Sequence, residues 1–257
     1  MVKRATFAFN RKKGGNMIYE IADLRISIKN RCKYTDVFCE KYLSADQTAP
    51  FDLEVAITRE EFYEEKKLSG QYSDGYIENI CLYRAICRRL PALNRMLLHA
   101  AILEHDGNGY AFLGRSGTGK STHTGLWLKH IKGSKIVNGD KPILQYKNGG
   151  FIAYGTPWMG KESLGYNASV PLKGLCFLEQ AKENSVKRLT PAQAASKVFV
   201  QILFPEDETN AARTLELTDK LVTELPCYLL KCDISEEAVQ KSFEALTGKI
   251  YKNSKGE

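Results

Sequence analysis

The residues best suited to do chemistry stand together in Gly114–Ser121, GRSGTGKS. They fill every fixed position of the pattern G-x-x-x-x-G-K-[ST]. Glycines at Gly114, Gly117 and Gly119 let successive main-chain N–H groups turn inward without Cβ clashes, which makes a nest for phosphate oxygens. The amides of Arg115, Ser116, Thr118 and Thr122 belong to the same run. The Lys120 ammonium can reach the β- and γ-phosphates of a nucleotide, and the Ser121 hydroxyl can ligate magnesium. A helix beginning here would aim its positive end at the anion. A chance glycine turn rarely satisfies this pattern. Here it also stands where the motif requires, between the strand-like run YAFLG and the helical run KSTHTGLWLKHI.

A triphosphate with its metal needs an acidic partner, normally at a strand end. Asp140, in KIVNGDKP, follows the apolar pair Ile136–Val137 and lies twenty residues beyond Lys120. That leaves room for one helix and one strand, although an aspartate beside a glycine is also a common turn residue. No N-K-x-D base reader occurs, and no acidic pair closes a long apolar strand, so neither a GTP switch nor a hydrolytic ATPase is expected. His99 ends the apolar run MLL. It reads as a core histidine or as a group beside the phosphates, where a near-neutral imidazole suits proton transfer. His123, three residues after Lys120, faces either the site or solvent. GTPWMGKE (Gly155–Glu162) reads as an Ω-loop anchored by Trp158, or as a mobile flap that carries Lys161 toward the phosphates with Glu162 as a second acid. Arg115 and Arg213 are weaker candidates for stabilising transferred charge. Trp127 reads as core.

These residues must be held by a fold. In 257 residues, 43% hydrophobic and 26% charged, there is material for one large soluble domain or two small ones. The net charge is +7, densest in KRATFAFNRKK and YRAICRR. No nucleic-acid motif accompanies these patches, so nucleic acid is not an expected partner. No apolar run reaches the roughly 18 to 20 residues of a membrane helix, and the basic start lacks a following apolar stretch, so a membrane or secreted protein is not expected. The seven cysteines are odd in number, with no CxxC pair and no histidines near them. Reduced thiols in a cytoplasmic protein are the expectation, rather than disulfides or a zinc site.

Periodicity supplies the elements. MIYEIADLRISIKN (Met17–Asn30) alternates and predicts a strand or hairpin, and FDLEVAITRE (Phe51–Glu60) reads the same way. DGYIENICLYRAICRRLP places Ile77, Ile80, Leu82, Ile86 and Leu90 at helical spacing and stops at Pro91. Residues 1–92 therefore read as a small β-rich region closed by a helix. MLLHAAILEH predicts a buried strand, DGNG a tight hairpin turn, and YAFLG the returning strand. The strand that leads into the glycine loop thus pairs antiparallel with its predecessor, unlike the parallel arrangement of doubly wound nucleotide folds. Next come two short strands around Pro142, the strand PLKGLCFLEQ, a helix from Thr190 with Pro191 at its first position, the strand PCYLLKCD, and a last amphipathic helix capped by Ser235. The fold class expected is α/β or α+β, with mixed, largely antiparallel sheets around the loop and its helix. Residues 93–250 form the nucleotide-binding core and 251–257 a polar tail.

HAAILEHDGNGYAFLGRSGTGKSTHTGLWL, VNGDKPIL and GTPWMGKE together resemble the nucleotide-binding core shared by HPr kinase/phosphorylase and the phosphoenolpyruvate carboxykinases. The nearest likeness is to small HPr-kinase-like proteins of bacteria. It runs from about Leu97 to the last helix and takes in PLKGLCFLE and PCYLLKCDISEEAVQKSFEAL. The resemblance implies a mixed sheet, ATP with Mg²⁺, and phosphoryl transfer. It also matches His99 to an active-site histidine. Two departures stand out. The family has two adjacent aspartates, dividing metal binding and activation of the acceptor hydroxyl, where this chain has Gly139–Asp140. Thr122 replaces a glutamate of the HPr kinases proper, and the longer signature that binds their protein substrate is missing.

The expectation is an ATP- and Mg-dependent phosphotransferase, not a true HPr kinase, acting on a hydroxyl of a peptide, a protein or a small metabolite. Lys120, Asp140, His99 and Lys161 would be catalytic, Gly114 through Thr122 would hold the nucleotide, and Ser121 with Asp140 would face the metal. The alternative is a nucleotide-binding sensor that has lost turnover. Decarboxylating carboxykinase chemistry is a weaker third reading, because the chain is short and no Lys/His metal set is evident. Residues 1–92 are expected to shape the acceptor pocket or a homo-oligomer interface; the oligomeric state is left open.

Overall fold

The computed structural model describes residues 16–252. They form two compact units, one holding Leu24–Ala85 and the described residues up to Glu20, the other holding Ile21–Asp23 and the described residues from Ile86.

In the first unit, β1 (Met17–Ile21), β2 (Leu24–Lys29) and β3 (Leu53–Ala56) make a sheet in that order. β3 runs parallel to β2, with Ile26 opposite Leu53 and Ile28 opposite Val55. A parallel pair needs a crossover, and α1 (Lys33–Phe38) lies within it. α2 (Arg59–Leu68) starts at Thr58 with a capping box, in which the Thr58 hydroxyl accepts from the Glu61 N–H and the Glu61 carboxylate accepts from the Thr58 N–H. The strand in FDLEVAITRE therefore ends at Ala56. Alternation revealed the strands of this unit but neither α1 nor α2. α3 (Asp74–Arg89) is the helix that the spacing predicts, followed by a 3-10 turn containing Pro91.

The second unit is built on β4 (Arg95–Leu97), β5 (Ala100–His105), β6 (Asn108–Leu113), α4 (Lys120–His130), β7 (Lys135–Asn138), β8 (Ile143–Lys147), β9 (Gly150–Tyr154), β10 (Ser169–Gln180), β11 (Ser185–Arg188), α5 (Pro191–Val198), α6 (Glu208–Glu224), β12 (Cys227–Cys232) and α7 (Glu236–Thr247). The sheet runs β4-β8-β9-β10-β6-β5-β7, with β12 beside β10 and β11 outside β12. The β5–β6 hairpin turns on Asp106 and Gly107, at φ 50 and 72. Positive φ at both central residues is what a two-residue hairpin turn demands. β6 is thus antiparallel to β5, and on its other edge it is parallel to β10. β10 changes partners along its length. Ser169–Pro171 pair antiparallel with β9; from Leu172 the strand runs parallel to β6, with a register shift between Leu172 and Gly174, and from Leu175 it is parallel to β12 as well. The fold is mixed α/β, with most strand pairs antiparallel.

MLLHAAILEH is two strands, not one. Arg95–Leu97 pair with β8, while Ala100–His105 pair with β6 and β7. The break falls at Leu98–His99, where Leu98 N donates to Pro142 O and His99 N to Gln201 O. α6, capped by Asp207, is an element for which the sequence reading held no expectation.

YAFLG is apolar throughout because both faces of β6 are covered. Ala111 and Leu113 face a core shared with Val198 of α5 and with Leu217 and Leu221 of α6. Tyr110 and Phe112 face a second core with Trp127 of α4 and with Val239 and Phe243 of α7. All seven cysteines are free thiols. No helix among the described residues is long and apolar enough to cross a membrane.

One hydrogen-bond node locks α4, and hence the glycine loop, to α7. The buried Ser242 hydroxyl accepts from Trp127 Nε1–H at 2.8 Å, meets His123 Nε2 at 3.0 Å and donates to Val239 O at 2.9 Å. Its single proton goes to the carbonyl, so His123 must donate through Nε2 and its Nδ1 is bare. His123 therefore faces neither the site nor solvent; it packs against Phe112 with ring centroids 5.1 Å apart. Burial pushes its pKa down from 6.5 to about 4.

Two outcomes follow. Ser242→Ala leaves two buried donors unpaired and should lower unfolding free energy by about 2–3 kcal/mol in urea titrations. Below pH 6.5 the unfolded chain protonates His123 while the folded chain does not, so stability should fall between pH 6.5 and 4, by up to about 3 kcal/mol. His123→Gln should flatten that slope.

Candidate functional site

The loop leaves β6 at Gly114 and enters α4 at Lys120. A Cβ on Gly114 would lie 2.4 Å from Thr118 Oγ1, and Gly117 and Gly119 sit at φ 84 and 97. The pattern's glycines are thus required by close approach at one end of the loop and by left-handed backbone at the other. Thr118 Oγ1 donates to Arg115 O at 2.8 Å, and Gln180 Nε2 at the end of β10 donates to Gly117 O at 3.1 Å. Arg115, Ser116 and Gly117 are exposed, as are Ser121 and Thr122 on the first turn of α4. Lys120 is buried, and its Nζ folds back to donate to Gly114 O at 2.7 Å. Burial lowers its pKa, the Asp140 charge opposes this, and Lys141 adds to the lowering.

Asp140 reaches this place through register. Ala100 pairs with Leu113, which sets His99 beside the start of the loop, and Ala100 N donates to Asp140 O at 3.0 Å. Asp140 Oδ1 is 3.0 Å from His99 Nε2, and Oδ2 accepts from Lys141 Nζ. Burial pushes this carboxyl's pKa up, but the His99 and Lys141 hydrogen bonds and charges outweigh it and hold the group at about 2. The turn itself is made by Asn138, fully buried, whose Oδ1 accepts from Asp140 N at 2.9 Å and Lys141 N at 2.7 Å. The structure therefore brings Lys120, Asp140 and His99 to one end of the sheet and adds Lys141.

GTPWMGKE is stitched to this turn. Asn138 Nδ2 donates to Thr156 Oγ1 at 3.1 Å, Thr156 Oγ1 donates to Lys141 O at 2.7 Å, and Lys141 N donates to Trp158 O at 3.2 Å. Trp158 and Met159 are buried, whereas Lys161 and Glu162 are exposed at the tip. The base of the segment is an anchored loop, as the Trp158 reading expected. Gly139 N donates to Leu164 O at 2.9 Å, and a Cβ there would lie 2.8 Å from Met159 O and 3.2 Å from Leu164 O. The place of a neighbouring aspartate is thus closed by two carbonyls. Arg213 is exposed on α6 beside Asp207, away from this cluster of contacts.

A cleft of about 640 Å³ opens beside the loop, lined by Gly114–Thr118, Phe177–Gln180, Ser196, Lys197, Val200 and Gln201. Gln201 is 5% exposed and its Oε1 has no hydrogen-bond partner among the described residues, while its main-chain carbonyl holds His99 N. Sequence reasoning missed Asn138, Lys141 and this wall of the cleft. The run N-x-D-K carried a signal for the first two, since an Asn two residues before an Asp is a turn-maker. Nothing local marks Gln201.

A family model for the SynChlorMet cassette protein ScmC matches residues 76–244. The chain belongs to the ScmC family. The matched region takes in the glycine loop, Asp140 and the Gly155–Glu162 segment. No curated protein matches. Among solved structures, the HPr(Ser) kinase/phosphatase from Coxiella burnetii is similar at 15% identity, over 50% of this chain and 89% of that one, with a TM-score of 0.27.

The donors suit a hard cation, since Ser121 offers a hydroxyl and Asp140 a carboxylate. Each Asp140 oxygen already has one cationic or N–H neighbour, His99 at Oδ1 and Lys141 at Oδ2, so a magnesium ion there would share the carboxylate with them or displace one. Gly139→Asp should not supply a second acid. Its side chain collides with backbone, and chemical denaturation should show a loss of about 1–3 kcal/mol.

Proposed function

We propose that this chain binds a nucleoside triphosphate, ATP, on the Gly114–Thr122 loop and transfers its γ-phosphoryl group to a hydroxyl acceptor. The observation that supports this most is a buried ammonium, Lys120, at the mouth of a complete glycine loop with the Asp140–His99 pair at the same sheet end. Loop amides and Lys120 would bind and orient the phosphates, because phosphoryl transfer rests on positioning and charge neutralisation. A magnesium ion held by Ser121 and Asp140 would neutralise charge on the transferring group. Asp140, held at about 2, is too weak a base to take a hydroxyl proton efficiently. That work falls to His99. Nε2 must carry hydrogen to bond the carboxylate, so Nδ1 is the free lone pair that would accept the proton as the acceptor oxygen bonds phosphorus and ADP leaves. Lys161, exposed on its loop, is a further cation available to the phosphates. The acceptor, a peptide, protein or small metabolite, would lie within reach of His99. A cytoplasmic location fits this chemistry and the reduced thiols.

A second reading, a nucleotide sensor without turnover, draws on the closed position at Gly139, which leaves one carboxylate where two would divide the work. γ-Labelled ATP offered with a panel of hydroxyl acceptors separates the two. Transfer that falls about 10²–10⁴-fold in His99→Ala without loss of ATP affinity supports the phosphotransferase. Tight binding with no transfer to any acceptor leaves the sensor. In either case Lys120→Ala should weaken ATP binding at least ten-fold by calorimetry.

A further inference from the structure

Lys141 is the residue of this cluster that the glycine-loop chemistry does not require. Its ammonium lies on Asp140 Oδ2, while His99 takes Oδ1. Its main chain is independently fixed: N–H to Asn138 Oδ1 and Trp158 O, carbonyl to Thr156 Oγ1. The side chain is 32% exposed, so its stem reaches solvent while the turn is held by the main chain. Lys120 and Lys141 both interact with the Asp140 carboxylate, and the charge of Lys141 is felt at Lys120. The position beside Asp140 where a second carboxylate would strengthen a hold on a divalent ion is filled by the Met159 and Leu164 carbonyls.

We propose that Lys141 is an exchangeable cation of the nucleotide site. It neutralises Asp140 while no divalent metal is bound, and it swings to the phosphates when nucleotide arrives. Two consequences distinguish this from a purely structural ion pair. The chain binds ATP without a divalent metal, because Lys120 and Lys141 together supply two positive charges to the triphosphate. Magnesium, when present, competes with Lys141 for Asp140 and so binds less tightly than it would without that lysine.

The inference rests on the proposed nucleotide site and is tested beside it. ATP is titrated calorimetrically into the full chain in EDTA, and magnesium chloride is then titrated into the chain saturated with a non-hydrolysable ATP analogue. Wild type, Lys141→Met, Lys141→Arg and Lys120→Ala are compared, with circular dichroism melts to confirm folding. Lys141→Met should weaken metal-free ATP binding roughly five- to ten-fold and lower the half-saturating magnesium concentration by a similar factor, the size of one partly shielded ion pair. Lys141→Arg, which keeps the charge, should hold metal-free affinity near wild type and serves if the methionine variant is unstable. Metal-free ATP affinity unchanged in Lys141→Met, or a wild type that binds ATP only with magnesium, overturns the exchange while leaving the nucleotide site standing. No ATP binding by the wild type under either condition overturns both, and Lys120→Ala then has nothing left to lose.

Discussion

The arrangement of the second unit depends on an ammonium buried at the end of a strand. Lys120 is 8% exposed, and among the described residues its ammonium's hydrogen-bond partner is the Gly114 carbonyl at 2.7 Å. A buried charge is costly unless it is paired, and the Asp140 carboxylate is the nearby charge that opposes this cost. Everything that fixes Asp140 therefore also sustains Lys120: the Asn138 turn, the β5 register and the bonds from His99 and Lys141. Glycine at 114 is part of the same constraint, since the chain must double back tightly enough for residue 120 to meet residue 114.

The sheet explains how these pieces meet. β5 and β6 are antiparallel, so the start of one lies beside the end of the other. His99, one residue before β5, thereby faces Gly114, one residue after β6. β7 pairs antiparallel with β5 and delivers Asp140 to the same end. Beyond β6, β10 runs parallel and brings Gln180 to brace the loop. Behind the loop, the Ser242 node ties α4 to α7. These are polar contacts inside an apolar core, where a satisfied network also specifies one arrangement of the helices.

The same geometry gives His99 and His123 different fates. His99 stands between Leu98 and Ala100, and His123 between Thr122 and Thr124. His99 interrupts a strand, gives its N–H to Gln201 O and keeps its ring beside a carboxylate. His123 sits on the inward face of α4 and is held uncharged by burial. Exposure and partner, not sequence neighbourhood, separate a group able to move protons from one that packs.

Much was determined by sequence alone. The glycine loop, the β5–β6 hairpin with its Asp106–Gly107 turn, the α4 helix, the helix capped at Thr190 and the start of α7 after Ser235 all follow from local backbone preference, although the Ser235 hydroxyl bonds the Asp233 carboxylate and does not cap α7. Glycine at positive φ, proline at a helix start and alternation on a two-faced strand need no distant partner. What lies across the chain was not legible. The split of MLLHAAILEH depends on carbonyls of Pro142 and Gln201, residues far along the sequence. The closing of Gly139 by Met159 and Leu164, the pairing of Asp140 with both His99 and Lys141, and the inward turn of His123 are likewise long-range. A side chain's chemistry is set by what packs against it, and packing is decided only when the chain has folded.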